Sequence, residues 1–164
     1  MLKVAFELNQ NIGVIATKST VKSGVYKKKI RKFNKHLSVM ELATPLLAPI
    51  IEEGFTKTAV SRAAIEAYLN HAKLKEIDTL ILGCTHYPLI HQEIEQFYHH
   101  RINIVDSPLI VANTIFRSLQ KEKWLTENSA QGKYRFFVSD YTSSFSKTAK
   151  KFFGKEILLE QIDL

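Results

Sequence analysis

Short apolar runs alternate along the chain with longer stretches whose apolar residues recur every three or four positions. The runs cover residues 12–16, 79–83, 103–106 and 134–138, and polar or glycine residues bound them. Such runs suit strands buried on both faces of a sheet. Residues 37–42 form a weaker strand candidate and 157–159 an edge strand. Helices are predicted over 1–9, 21–33, 44–54, 56–72, 89–97, 107–123 and 142–153, the last stopping at Gly154. In the 56–72 helix the apolar face is assigned to Val60, Ala63, Ala64, Ala67 and Tyr68. Residues 128–133 read as a polar loop. Strands alternating with helices imply an α/β fold on a largely parallel sheet.

Composition narrows the class. The chain has 164 residues, 45% of them hydrophobic, enough for a core of ordinary size. Its one cysteine excludes an intramolecular disulfide framework and fits a reducing, cytoplasmic setting. No apolar run approaches the ~20 residues of a membrane span, and charges interrupt the N-terminal apolar patch, unlike a secretory signal. The net charge of +7 owes much to Lys22, Lys27, Lys28, Lys29, Arg31, Lys32 and Lys35. Such a cluster suits phosphate backbones or is simply a solvated helix face with a basic end. No zinc finger or aromatic-rich RNA-binding motif accompanies it, so nucleic acid is the less favoured partner. There is no repeat, low-complexity segment or glycine-rich dinucleotide fingerprint.

Three polar turns end strands on what reads as one rim: 17–20, 84–86 and 139–140. Cys84, Thr85 and His86 place a thiol, a hydroxyl and an imidazole where open α/β sheets bind ligands. A thiol at a helix start tends towards the reactive thiolate; equally, a lone free cysteine is often a small buried hydrophobe. One Cys and one His two residues apart are too few to hold a metal. In the 17–20 turn, the hydroxyls and free N–H groups suit an anion, while Thr17 or Ser19 equally suits a helix N-cap. Glu52 and Glu53 oppose the dipole at a helix C-terminus, which suggests another use, although surface chance explains either.

The segment Leu80-Ile81-Leu82-Gly83-Cys84-Thr85-His86-Tyr87-Pro88-Leu89 resembles the second cysteine motif of glutamate racemases, within the aspartate/glutamate racemase family. Ile12-Gly13-Val14-Ile15-Ala16-Thr17-Lys18-Ser19-Thr20-Val21, followed by Ser23-Gly24-Val25-Tyr26, is similar to that family's glycine/threonine segment, with Ala16 where glycine is usual. Pro49-Ile50-Ile51-Glu52-Glu53-Gly54, Val105-Asp106-Ser107 and the segment from Phe137 to Gly154 resemble further parts of it. The resemblance implies a parallel-sheet three-layer sandwich over residues 1–106, and a tail, 107–164, that belongs to a partial first domain. It implies cofactor-independent interconversion of L- and D-glutamate, which supplies peptidoglycan synthesis. Cys84 would be one of two catalytic cysteines, His86 would assist its proton transfers, and Glu52 would orient His86. Thr85, Thr17 and Thr20 would hold the substrate carboxylates.

The family's Asp-Ser and Cys-Asn-Thr turns, the latter bearing the first catalytic cysteine, have no counterpart here. The chain therefore looks like the C-terminal portion of a racemase. Two readings follow. One is a racemase completed by an N-terminal racemase fragment or by a homo-oligomer. The other is a non-catalytic remnant binding a dicarboxylate or a partner. In either, Phe136, Phe137, Phe145, Phe152 and Phe153 of the tail are expected to expose apolar surface that favours association.

Overall fold

Ile12, Val14, Leu80 and Leu82, alternating across two adjacent strands, fix where the layers lie. The computed structural model describes residues 11–126, 132–154 and 157–163. The helix expected over 1–9 and most of the loop expected over 128–133 lie outside them. Among the described residues, β1 (Asn11–Ala16), β2 (Ser38–Ala43), β3 (Thr79–Leu82) and β4 (Asn103–Val105) form one parallel sheet in the order β2-β1-β3-β4. Central β1 pairs with β2 from Asn11↔Ser38 to Ala16↔Ala43, and with β3 from Ile12↔Thr79 to Ile15↔Leu82.

Successive strand side chains point to opposite faces. Ile12, Val14 and Ile81 pack on one side with Ile30, Leu37 and Val39. Ile15, Leu80 and Leu82 pack on the other with Leu47, Ile51, Ile65, Leu69, Tyr87, Ile90 and Ile94. Helix α2 (Val25–Phe33) thus covers the first face, while α3 (Leu47–Glu52), α4 (Ala59–Leu69) and α5 (His91–Phe97) cover the second. The result is the three-layer α/β arrangement. Downstream come α6 (Ser107–Lys121), β5 (Phe136–Val138), α7 (Ser143–Phe153) and β6 (Leu159–Gln161). β5 and β6 pair in parallel as a second, two-stranded sheet.

Several elements differ from the sequence expectation. The helix expected over 21–33 is two helices, because Gly24 sits at φ 60° and breaks it. The first, α1 (Lys18–Ser23), starts early because the Thr17 hydroxyl accepts from the Thr20 N–H. Helix α4 is shorter than expected, since a capping box between Thr58 and Ser61 starts it at Ala59. Its buried face is Ser61, Ile65 and Leu69; Val60, Ala63 and Ala67 are exposed, with Ala64 and Tyr68 at the margin. Both stripes are apolar at helical spacing, and contact with α3 and α5 selects the one carrying the larger Ile65 and Leu69. Tyr87–Ile90 forms a tight 3₁₀ turn before α5. The N-cap of α6 is Asp106, and the last strand begins at Leu159, two residues late.

In the tail, Leu109, Ile115, Phe116, Phe137, Phe145 and Phe152 are exposed, while Phe136 meets the Phe153 ring edge-on at 4.8 Å. No helix among the described residues is long and apolar enough to cross a membrane.

The rotated face of α4 is testable by two truncations on one helix. Ile65→Ala empties a site 2% exposed and is expected to cost about 2–5 kcal/mol. Val60→Ala, at a side chain 50% exposed, should stay within about 0.5 kcal/mol of the parent. Urea unfolding of both variants checks the assignment, and the reverse order would refute it.

Candidate active site

From β1 the chain crosses to β2 on one side, then returns to place β3 on the other side of β1. The sheet order therefore reverses between β1 and β3. Ligands of open α/β sheets bind in the crevice outside the carboxyl ends at such a point. Thr17 leaves β1 there, and Gly83, Cys84, Thr85 and His86 leave β3. The two turns are drawn together by the Gly83 N–H, which donates to the Ile15 carbonyl at 2.8 Å. A Cβ on Gly83 would lie 3.0 Å from that oxygen and 3.1 Å from both Ala16 Cβ and Tyr26 Cε2. A close approach of backbone to backbone requires glycine here.

Beyond Gly83 the half-buried Cys84 thiol faces His86, with Sγ 3.8 Å from Nδ1. The other ring nitrogen, His86 Nε2, lies 3.1 Å from Glu52 Oε1. A carboxylate accepts only, so Nε2 is the protonated nitrogen in this contact, and Nδ1 is the ring nitrogen turned to the sulfur. His86 and Glu52 side chains are 36% and 54% exposed. A pair so open contributes at most about 1 kcal/mol to stability. Glu52 ends α3, and its backbone carbonyl accepts from Thr148 Oγ1 of α7 at 3.2 Å. Of the two carboxylates at this helix end, Glu52 is the one that reaches the imidazole.

At the end of β1 the Thr17 and Thr20 hydroxyls lie 3.0 Å apart. Thr17 is thus both the N-cap of α1 and a member of the rim, and Ser19 is exposed. Thr85 is exposed on the turn between Cys84 and His86. The third expected turn does not join them in this sheet: Ser139 and Asp140 follow β5, which belongs to the second sheet. Short apolar runs carry no label for the sheet they enter. Among the described residues no group of three His, Cys, Asp or Glu is placed to hold a metal ion.

Three further residues support the turn and had no sequence signal beyond their propensities. Tyr87, fully buried, has its hydroxyl 2.7 Å from Thr44 Oγ1 and donates to the Thr44 carbonyl at 3.1 Å. Thr44, at the end of β2, in turn donates its N–H to the Ala16 carbonyl at 2.9 Å. Burial pushes the Tyr87 phenol up to about 12; the Thr44 hydrogen bond opposes the rise, and negative charge on Cys84 adds to it. Tyr26 is likewise raised, first by burial and then by Cys84. Both phenols thus sense the sulfur. A second imidazole–carboxylate pair, His91 Nδ1 to Asp106 Oδ2 at 2.7 Å, joins the start of α5 to the end of β4.

The family model described as Asp/Glu/Hydantoin racemase matches residues 1–115. Glutamate racemase of Geobacter metallireducens is 34% identical over 146 residues, 89% of this chain and 54% of that protein. Glutamate racemase of a Thermoanaerobacter species is 38% identical over 152 residues, 93% of this chain and 57% of that protein. The chain therefore spans somewhat more than half the length of these relatives. Among solved structures, glutamate racemase isoform RacE1 of Bacillus anthracis superposes with a TM-score of 0.87 at 32% identity, covering 99% of this chain and 62% of that one. Glutamate racemase of Francisella tularensis in complex with D-glutamate gives 0.85 at 29%, covering 99% and 60%.

The tyrosines under the turn give a pH prediction. Tyr87 has a folded-state pKa near 12 against an ordinary 10, so its contribution to stability is complete below about pH 10 and is lost as pH rises through about 12. Ultraviolet titration should show two phenols, Tyr87 and Tyr98, ionising late, near 12. Tyr87→Phe should remove one late-ionising phenol and flatten the fall in unfolding free energy above pH 10. An unchanged late phase in that variant would refute the assignment.

Proposed function

The chain belongs to the Asp/Glu/hydantoin racemase family, and from that premise we propose that it forms one half of a glutamate racemase site, with Cys84 as the acid–base group. The observation that carries this is the line Cys84 Sγ, His86, Glu52 at the sheet's switch point, 3.8 Å and 3.1 Å between successive members. The α-proton of an amino acid is weakly acidic. A thiolate at Cys84 removes it, and His86 Nδ1 takes or returns the thiol proton while Glu52 holds the ring through Nε2. Thr85, Thr17 and Thr20 offer hydroxyl and backbone N–H donors to the substrate carboxylates. The reaction proceeds without a cofactor, and its D-glutamate serves peptidoglycan synthesis in the cytoplasm.

Inversion needs a proton donor on the face opposite the base that abstracts. The 164 residues contain one cysteine, and His86 shares a turn with it and approaches from the same side. On this reading the opposite group belongs to a polypeptide region equivalent to the part of the relatives that the chain does not span, or to a second copy of the chain. The exposed apolar side chains of α6, β5 and α7 support such an association.

Incubating each glutamate enantiomer with the chain in deuterated water tests the reading. The chain alone is expected to exchange the α-proton of one enantiomer with retention and to show no appreciable racemisation. Cys84→Ala should abolish exchange, and His86→Ala should slow it by about 10²–10⁴. Exchange unaffected by Cys84→Ala, or rapid interconversion by the chain alone, would overturn it.

A further inference from the structure

Between Leu8 and Met40 the sequence has no Asp or Glu, but it carries Lys18, Lys22, Lys27, Lys28, Lys29, Arg31, Lys32 and Lys35. This one segment accounts for the whole excess of positive charge, and the remainder of the chain is close to neutral. A solvated helix face is a sufficient account of the cluster in the sequence alone. The structure adds how the cluster is displayed.

Helix α2 lays Tyr26 and Ile30 on the sheet, with Ile30 completely buried. At 100° per residue, Lys28 and Lys32 then point away from the sheet, with Lys27 and Arg31 on one flank and Lys29 on the other. Lys28, Lys29, Arg31, Lys32 and Lys35 are all exposed. The Lys28 ammonium donates to the Ser23 carbonyl at 3.0 Å. The ion pairs found among the described residues, His86–Glu52, His91–Asp106, His100–Glu95 and Arg135–Glu160, lie elsewhere. Lys27 and Arg31 line a hollow beside the edge strand β2 together with Lys73, and Glu41 is the one carboxylate among its lining residues. Among the described residues the positive charge of this cluster is therefore little compensated.

We infer that this face of α2 binds nucleic acid through the phosphate backbone, without reading bases. Lys28 and Lys32, one turn apart on the outer face, are separated by about 6 Å along the axis at the helical rise, and Lys35 follows just beyond the helix end; three cations so grouped suit contacts with successive phosphates. An anionic membrane fits less well. Surface-bound helices bury an apolar face among acyl chains, and the apolar stripe of α2 is spent on the sheet, leaving Val25 and Phe33, at its two ends, exposed. The inference is independent of the thiol chemistry, since the cations lie on the outer side of α2 and Tyr26 on its inner side meets the Gly83 turn.

Fluorescence anisotropy of the 164-residue chain with a labelled 20-base-pair duplex and a 20-nucleotide single strand, over a series of salt concentrations, tests this. The duplex affinity is expected to fall with a log–log slope of about −2.7 or steeper, at roughly 0.9 per phosphate contact. The triple variant Lys28→Gln/Lys32→Gln/Lys35→Gln should lose about 2.7 of that slope with an unchanged circular dichroism spectrum. Lys121→Gln/Lys123→Gln, remote in sequence from the cluster, should leave the slope as it was. Equal loss in both variants, or no salt-dependent binding, would overturn the inference. So would retention of the chain by phosphatidylserine vesicles or polyglutamate under salt conditions where oligonucleotides fail to bind.

Discussion

The pairing of β1 with β3 is the constraint on which the rest depends. It is a four-residue register, Ile12↔Thr79 to Ile15↔Leu82, continued past the end of β3 by the Gly83 N–H on the Ile15 carbonyl. Parallel strands end on the same rim, so this single register sets Thr17 and Cys84 side by side although 67 positions separate them in the chain. Gly83 lets the two backbones approach closely, since a side chain there would crowd the backbone of β1 and the Tyr26 ring. Buried β-branched and leucine side chains on both faces then hold the register, since a slip of one residue would reverse the inward face of every strand position.

On that rim the thiol–imidazole–carboxylate line draws its three members from two layers. Cys84 and His86 come from the strand end, and Glu52 comes from the last residue of a helix on one face. The His86–Glu52 pair is too exposed to stabilise the fold much. A carboxylate at a helix C-terminus is also locally unfavourable. Under the proposed function, the chemistry of the site rather than stability accounts for a residue that is unfavourable for its helix yet placed on the imidazole. Beneath the turn, Thr44 and Tyr87 tie the ends of β2 and β1 to the 3₁₀ turn that follows Cys84, so the flexible-looking tripeptide rests on a hydrogen-bonded floor.

Helix α2 separates two kinds of interaction by the period of the helix alone. Its inner stripe supplies the apolar cover for Ile12, Val14 and Ile81, and Tyr26 closes over the Gly83 turn. Its outer arc carries cations that no described carboxylate pairs with. Packing and long-range electrostatics thus meet in nine residues without competing, because apolar contact acts within a few ångströms while the field of the cations extends over about a Debye length.

The strands β1, β3 and β4 of the main sheet were legible in the sequence as short apolar runs, β2 less so because Ser38 and Glu41 interrupt it, and Gly83-Cys84-Thr85-His86 announced a strand-to-helix turn through its own composition. Thr17 was legible as a cap for the same local reason. What stayed hidden depended on partners distant along the chain. The buried stripe of α4 could be either of two apolar faces until α3 and α5 chose Ile65 and Leu69. The split at Gly24 rested on a backbone angle that a Val21–Phe33 pattern does not encode. Ser139–Asp140 resembled a third rim turn, but sheet membership depends on which strands pair, and β5 pairs with β6. Thr44 and Tyr87 looked like ordinary helix-flanking residues until the tertiary fold closed their hydrogen bonds. Sequence pattern reports the periodicity and chemistry of a segment; the identity of its neighbours is a property of the packed sheet, and it is the neighbours that make Cys84, His86 and Glu52 one site.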